Sequence, residues 1–220
     1  MTETEKWEQG CRTDRVRNEF IIPTLYNQLE QFKPQEILDI GSGTAYIARA
    51  IDEMLSYNPH WTIIDTSQER IDFSISKMTS KIDALIQKNS YEEVSKSGTK
   101  FDAIFLLFTL LEMEFDEKIC KKLNESLNDN GFTYIVMPNS LEDVFNAAQD
   151  DYDILFNYLN NDCQLHKIDK FTKEPYPFNA HRFEYIIQCM LKSGHKLIHM
   201  QNEKFNNKET YLLVFQKVKS

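Results

Sequence analysis

The 220 residues are predicted to fold as an α/β protein: a doubly wound, mostly parallel seven-stranded sheet with an antiparallel last strand, helices on both faces and a helical cap insertion. Three observations carry that prediction. The apolar run at 37–40 breaks into a loop with glycines at 41 and 43 and then into an amphipathic helix, the strand–loop–helix unit of a parallel sheet. Short apolar runs alternate with helical patterns as far as residue 137, which places helices on both faces of the sheet. The length suits one α/β core with a modest elaboration and is short for two domains.

Val16, Phe20, Ile21, Leu25, Leu29 and Phe32 recur at helical spacing, so the first 32 residues are helical, with Pro23 in the first turn of a second helix. The core then reads as strand 37–40, helix 45–56, strand 60–65, helix 68–80, strand 83–88, strand 101–108, helix 116–128 and strand 131–137. The polar gap at 89–100 has room for a single helical turn. A last helix at 181–192 precedes strands at 196–200 and 210–217, separated by the Asn- and Lys-rich stretch 203–209.

Between these parts, residues 138–177 hold Asp150, Asp151 and Asp153 beside Tyr152, Phe156, Tyr158, Phe171 and Tyr176, with Phe178 just beyond, too aromatic for a linker and too long for a turn. The segment leaves the carboxyl end of a strand, the edge at which ligands bind in open α/β sheets. It reads either as a helical cap over a substrate pocket or as a packed insertion whose aromatics are core.

A net charge of −9 argues against an extended phosphate-binding surface, and Lys118, Lys121 and Lys122 are diluted by Asp116, Glu117 and Glu125, so no nucleic acid partner is expected. Cysteines at 11, 120, 163 and 189 form neither a CxxC nor a Cys/His cluster, so no metal site and no disulfide framework are expected. Cys120 and Cys189 fall at apolar helix positions. No apolar run nears the roughly 20 residues of a membrane span, and the polar start lacks a secretory apolar region. A cytoplasmic location with no membrane partner is the expectation; the sequence leaves the oligomeric state open.

The glycine loop narrows the ligand. Tyr46 stands where the dinucleotide fingerprint needs its third glycine, which argues against NAD. Asp39, two places before Gly41, would aim a carboxylate at the ligand; carboxylates accept from ammonium and hydroxyl groups and repel pyrophosphate. A cationic, phosphate-free ligand is favoured. With Asp65 closing the second strand, Asp39, Gly41, Gly43 and Asp65 together resemble the first two motifs of the class I S-adenosylmethionine-dependent methyltransferases, although Ala45 stands where that family often has a third glycine. The resemblance covers residues 34–137 and continues weakly to the C-terminus.

That resemblance implies S-adenosylmethionine as cofactor, leaving as S-adenosylhomocysteine, held by Asp39, Gly41, Ser42, Gly43, Asp65 and Thr66, with Asp65 on the ribose hydroxyls. It implies Asn89 and Ser90 near the adenine and Phe108, at the tip of the fourth strand, lining the pocket. It further implies a single domain made of an N-terminal helical lid (1–33) with Trp7 and Arg12 near the cofactor, a cofactor-binding core (34–137), a substrate cap (138–180), and a last helix with a C-terminal hairpin (181–220).

Methyl transfer from a sulfonium depends on orientation, a contribution of roughly 7–11 kcal/mol, more than on acid–base groups. The segment Phe108-Thr109-Leu110-Leu111 is not the Asp/Asn-Pro-Pro-aromatic tetrapeptide of the amide and adenine methyltransferases, and it lacks the acids of the divalent-metal catechol enzymes. His181, within Asn179-Ala180-His181-Arg182-Phe183, resembles the His-Arg segment before the last helix of many small-molecule relatives and is the candidate base, with a capping or solvated role as its alternative. Arg182, Tyr152, Tyr176 and Phe178 are the candidate substrate contacts. The expected function is methyl transfer to an oxygen or nitrogen of a small-molecule acceptor. A protein or peptide side-chain methyltransferase and a catalytically silent cofactor-binding regulator stand as alternatives.

Overall fold

The structure, a computed structural model, describes residues 1–77, 82–84, 98–149, 152–160, 163–168, 175–206 and 208–219. Helix α1 (Glu3–Thr13) opens with a capping box: Thr2 Oγ1 accepts from the Glu5 N–H and Glu5 Oε2 accepts from the Thr2 N–H. Its last carbonyls are met by Asn18 Nδ2, which donates to Cys11 O and Asp14 O at 2.9 and 2.7 Å. A π-helical stretch, Val16–Ile21, leads into α2 (Ile22–Phe32), which carries Pro23 in its first turn and buries Ile22, Leu25 and Leu29.

The main sheet contains β1 (Glu36–Ile40), β2 (His60–Ile64), β3 (Ile82–Ala84), β4 (Phe101–Leu107) and β5 (Leu127–Pro138). A separate pair, β6 (Gln164–Ile168) and β7 (Pro175–Asn179), lies within the insertion, and β8 (His195–Phe205) and β9 (Lys208–Lys217) complete the main sheet in the order β3-β2-β1-β4-β5-β9-β8. The last strand, β9, is antiparallel to both neighbours, and the other pairings of that sheet are parallel. Strand order reverses between β1 and β4, so their carboxyl ends flank the crevice where this kind of sheet holds ligands.

Helices α3 (Tyr46–Asp52), α4 (Gln68–Lys77), α5 (Glu117–Ser126), α6 (Leu141–Ala148), α7 (Tyr152–Leu159) and α8 (Phe183–Lys192) fill the connections. Successive strand residues point to opposite faces, and both faces are covered, which is why the strands read as unbroken apolar runs. Ile37, Ile63, Phe105, Tyr134 and Val136 pack with Leu25 and Leu29 of α2 and Ala48 and Ile51 of α3. Leu38, Ile40, Ile104, Leu106 and Ile135 pack on the other face with Cys120 and Leu123 of α5 and Ile186 and Met190 of α8. All four cysteines are buried thiols.

Two details depart from the sequence reading. The insertion is not wholly helical: α6 and α7 are followed by the β6–β7 hairpin, and Val144, Tyr158, Cys163, Leu165, Phe178 and Ala180 close over a small core of their own. The polar residues 203–205, read as part of a connection, continue β8, because its ladder to β9 runs from His195 to Phe205. Backbone pairing sustains that strand while its side chains face solvent, so hydrophobic periodicity carries no trace of it.

Candidate functional site

The loop after β1 is held by its own backbone. The Gly41 and Ser42 N–H groups donate to Ile64 O at 2.8 and 2.9 Å, and the Gly43 N–H donates to Asp65 Oδ2 at 2.8 Å. These three N–H groups are therefore turned to the second strand and do not form a nest for phosphate. Gly41 has φ +69°, and a Cβ there would come within 2.6 Å of Thr109 Cγ2. Thr109, just beyond β4, donates its hydroxyl to Ile40 O at 2.6 Å. The tips of β1 and β4 are thus locked together at the point where strand order reverses.

Two acids lie beneath this loop. Asp39 is 3% exposed and Asp65 6%. Asp65 accepts from the Gly43 N–H through one oxygen and from the Ser67 N–H, at 2.9 Å, through the other. None of the described residues donates to the Asp39 carboxyl; burial first, and the charge of Asp65 second, push it up to about 7. A buried acid without a cation is a place where a positively charged group gains most.

The roof of this region comes from the N-terminus, and its residues have no local sequence signature. Trp7 Nε1 lies 3.5 Å from where a Gly43 Cβ would stand. The Arg70 and Arg17 guanidinium carbons sit 5.0 and 5.7 Å from the Trp7 ring centroid, and Arg17 also lies 4.6 Å from the centre of the Phe108 ring. Phe108 has φ +64°, so its ring leaves the strand tip in a direction an extended residue would not allow. Arg17 is ion-paired with Asp14. Glu8, buried next to Trp7, accepts from the Thr44 hydroxyl at 2.6 Å and from Arg49 Nη2 at 2.9 and 3.0 Å. The first turn of α3 therefore faces a carboxylate of the chain itself. Arg12 donates to the same Glu8 at 3.1 Å and otherwise extends into solvent.

The remaining candidates are spread more widely. Ser42 is half-buried, and Thr66 is exposed beside Asp65. His181 is 8% exposed, with Nε2 3.1 Å from Met113 O and its ring edge-on to Phe115. Burial holds its pKa below the usual value, although the carbonyls of Met113 and Leu110 both face the ring. A neutral ring with an Nε2 proton donates to Met113 O, which pins the segment after β4 to the start of α8. Arg182 donates to Leu159 O at 3.1 Å and lies 3.8 Å from Glu184, joining α7 to α8. Phe178 belongs to the core of the insertion and borders a groove of about 330 Å³ between α6, α7 and the hairpin. Asn89, Ser90 and the side chains of Tyr152 and Tyr176 lie outside the described residues. Among the described residues no cluster of three or more His, Cys, Asp or Glu suits a metal ion, and no helix is long and apolar enough to cross a membrane.

With this geometry in view, the likenesses to known proteins are specific. Residues 37–131 match the family described as Methyltransferase domain. A SAM-dependent methyltransferase of Methanosarcina mazei superposes with a TM-score of 0.67 at 18% identity, over 90% of this chain and 98% of that one. The plantazolicin methyltransferase, solved with a triazolic desmethyl analogue and S-adenosylhomocysteine, gives 0.65 at 18% identity, over 99% and 90%. The magnesium protoporphyrin IX methyltransferase of Synechocystis, solved with S-adenosylhomocysteine, gives 0.64 at 11% identity, over 97% and 93%. Among curated proteins no sequence match is found.

Residues 37–131 thus match a methyltransferase domain, and the fold is that of solved methyltransferases dependent on S-adenosylmethionine. The site suits that molecule on physical grounds. It has two buried acids for a ligand rich in positive charge and hydroxyls, a glycine loop that makes no phosphate nest, and a glycine where a side chain would run into Thr109.

Proposed function

We propose that the enzyme methylates an oxygen or nitrogen of a small-molecule acceptor. When bound, S-adenosylmethionine supplies a methyl group on a sulfonium whose leaving group is a neutral thioether. In this reading Asp39 and Asp65 hold the ammonium and the ribose hydroxyls, with the Gly41–Gly43 loop and Ser42 shaping the floor, Thr66 at its rim and Phe108 at one wall. Arg17, between Trp7 and Phe108, is the cation placed to meet the methionine carboxylate. Asn89 and Ser90 are assigned to the adenine on the family resemblance.

The observation that carries the acceptor assignment is the insertion. It leaves the tip of β5 and packs its own core against Leu111, two residues after Thr109, so in this reading it stands over the carboxyl edge of the strands. A cap with its own core narrows access and favours an acceptor small enough to sit beneath it over a protein chain. Two of the similar structures belong to enzymes named for organic acceptors, plantazolicin and magnesium protoporphyrin IX. His181 acts here as a positioning residue that steadies the loop after β4, because its Nε2 is committed to Met113 O. Orientation then supplies the rate, and a released proton passes to solvent.

The test is a transfer assay with S-adenosylmethionine labelled in its methyl group and a cell extract separated by ultrafiltration into small molecules and proteins. Label entering the small-molecule fraction is the expected outcome. Label entering only the protein fraction would transfer the assignment to side-chain methylation, and cofactor binding with no label in either fraction would favour the silent regulator.

A further inference from the structure

We infer that Glu8 is a positioning residue that clasps α1 over the cofactor crevice, and that release of this clasp admits and discharges the cofactor. The inference rests on the cofactor reading above.

The inner face of α1 is unlike that of an ordinary surface helix. Its buried residues are Thr4, Glu8, Gly10 and Cys11, so no fully buried branched aliphatic or aromatic side chain anchors it, whereas the next helix buries Ile22, Leu25 and Leu29. Hydrophobic stabilisation scales with apolar area, and α1 buries little of it. Beside the Trp7 ring and the Asn18 amide at its last carbonyls, α1 is held by one buried carboxylate that gathers several partners. Glu8, 5% exposed, receives the Thr44 hydroxyl and the Arg49 guanidinium from the body of the protein, and Arg12 from its own helix. Burial pushes its pKa up, but the hydrogen bonds from Thr44 and Arg49 outweigh this and hold the carboxyl below its ordinary value, so the clasp is charged near neutrality.

The same helix carries the roof. Trp7 precedes Glu8 and stands against Gly43, whose N–H holds Asp65, and Arg17 bridges Trp7 to Phe108 across the crevice. Asp39 and Asp65 are almost wholly buried by the protein's own atoms, so a molecule that reaches them must displace some of this cover. Helix α1, which sets Trp7 against the Gly43 loop, has little apolar attachment and is the part of the cover we assign to move. A natural pivot follows it: Asp14 is extended between α1 and the π-helical stretch 16–21, beyond which Ile21 and Leu25 are fixed in the core.

Trp7 supplies the probe, because Trp61 is buried in the core and donates to Asp52 at 3.0 Å, away from the lid. Stopped-flow tryptophan fluorescence with S-adenosylhomocysteine is expected to give a binding rate in the parent protein that levels off as ligand rises, since opening limits it. In Glu8→Ala the rate should climb in proportion to concentration and dissociation should quicken by about tenfold or more, as expected on removing one partner of a buried charged cluster. Glu8→Gln, which keeps an acceptor but loses the charge, should fall between the two. Trp7→Phe should remove the fluorescence change while calorimetric binding persists. A parent rate without a plateau, together with unchanged dissociation in Glu8→Ala, overturns the clasp and leaves the cofactor site standing. Absence of calorimetric binding to the parent protein overturns both.

Discussion

Replacing Asp39 by asparagine should make the ligand-free protein more stable at neutral and alkaline pH while weakening its hold on the cofactor. Burial and the neighbouring Asp65 lift the Asp39 pKa from 3.8 to about 7 in the folded chain. Below pH 3.8 both folded and unfolded chains carry the proton, and the acid contributes nothing to the pH dependence. Between 3.8 and 7 the folded state keeps a proton the unfolded state has lost, so stability falls as pH rises, by about 1.4 kcal/mol per pH unit. Above 7 both forms are ionised and the penalty levels off at about 4 kcal/mol, the product of that slope and the interval. An asparagine at this position, uncharged throughout, escapes it. Urea denaturation of the parent and Asp39→Asn from about pH 5 to about pH 8 is the assay, and the two stabilities should diverge by up to about 3 kcal/mol over that range, the part of the interval it spans. A cationic cofactor lowers the Asp39 pKa on binding, so binding to the parent below pH 7 should release a proton, visible by calorimetry in buffers of different ionisation enthalpy. Parallel stability curves, or the same proton count in the variant, would refute the account of Asp39 as a buried acid with no partner among the described residues.

Three further substitutions test separate parts of the site. Gly41→Ala meets both a positive φ and the Thr109 side chain, and should cost about 2–4 kcal/mol in chemical denaturation; a loss under about 1 kcal/mol would mean that Thr109 yields readily. Asp65→Ala removes the acceptor for the Gly43 and Ser67 N–H groups as well as the expected ribose contact, so stability and cofactor affinity should each fall by about 1–3 kcal/mol, and intact affinity in calorimetry would remove Asp65 from the site. His181→Gln keeps a donor for Met113 O but no base, so turnover should largely survive it and drop in His181→Ala, with cofactor affinity unchanged in both; loss of turnover in the glutamine variant would restore His181 as proton acceptor.

The glycine loop and its two acids were legible because they are close in sequence and each has a local reason. Asp39, Gly41 and Gly43 occupy one strand tip, and Asp65 ends the next strand, so a short stretch of chain shows the glycine spacing, the acids and the flanking elements together. The roof was not legible in this way. Glu8 reaches Thr44 across 36 positions and Arg49 across 41, and nothing near residue 8 announces either partner. Arg17 has no mark of its own in the sequence, and only the fold sets it between two aromatic rings. The insertion advertised its aromatics but not their use: Phe178, a candidate substrate contact by composition, turned inward to the insertion's own core.

Apolar periodicity and glycine spacing by themselves determined the alternating architecture and the loop that ends the first strand, since each depends on the chemistry of neighbouring residues along the chain. Only the tertiary structure decided that Asp39 lacks a described partner, that His181 Nε2 meets a backbone carbonyl, and that one buried glutamate ties the first helix to the glycine loop. Those outcomes depend on burial and on which distant groups converge in low-dielectric surroundings, quantities that no local pattern of residues encodes.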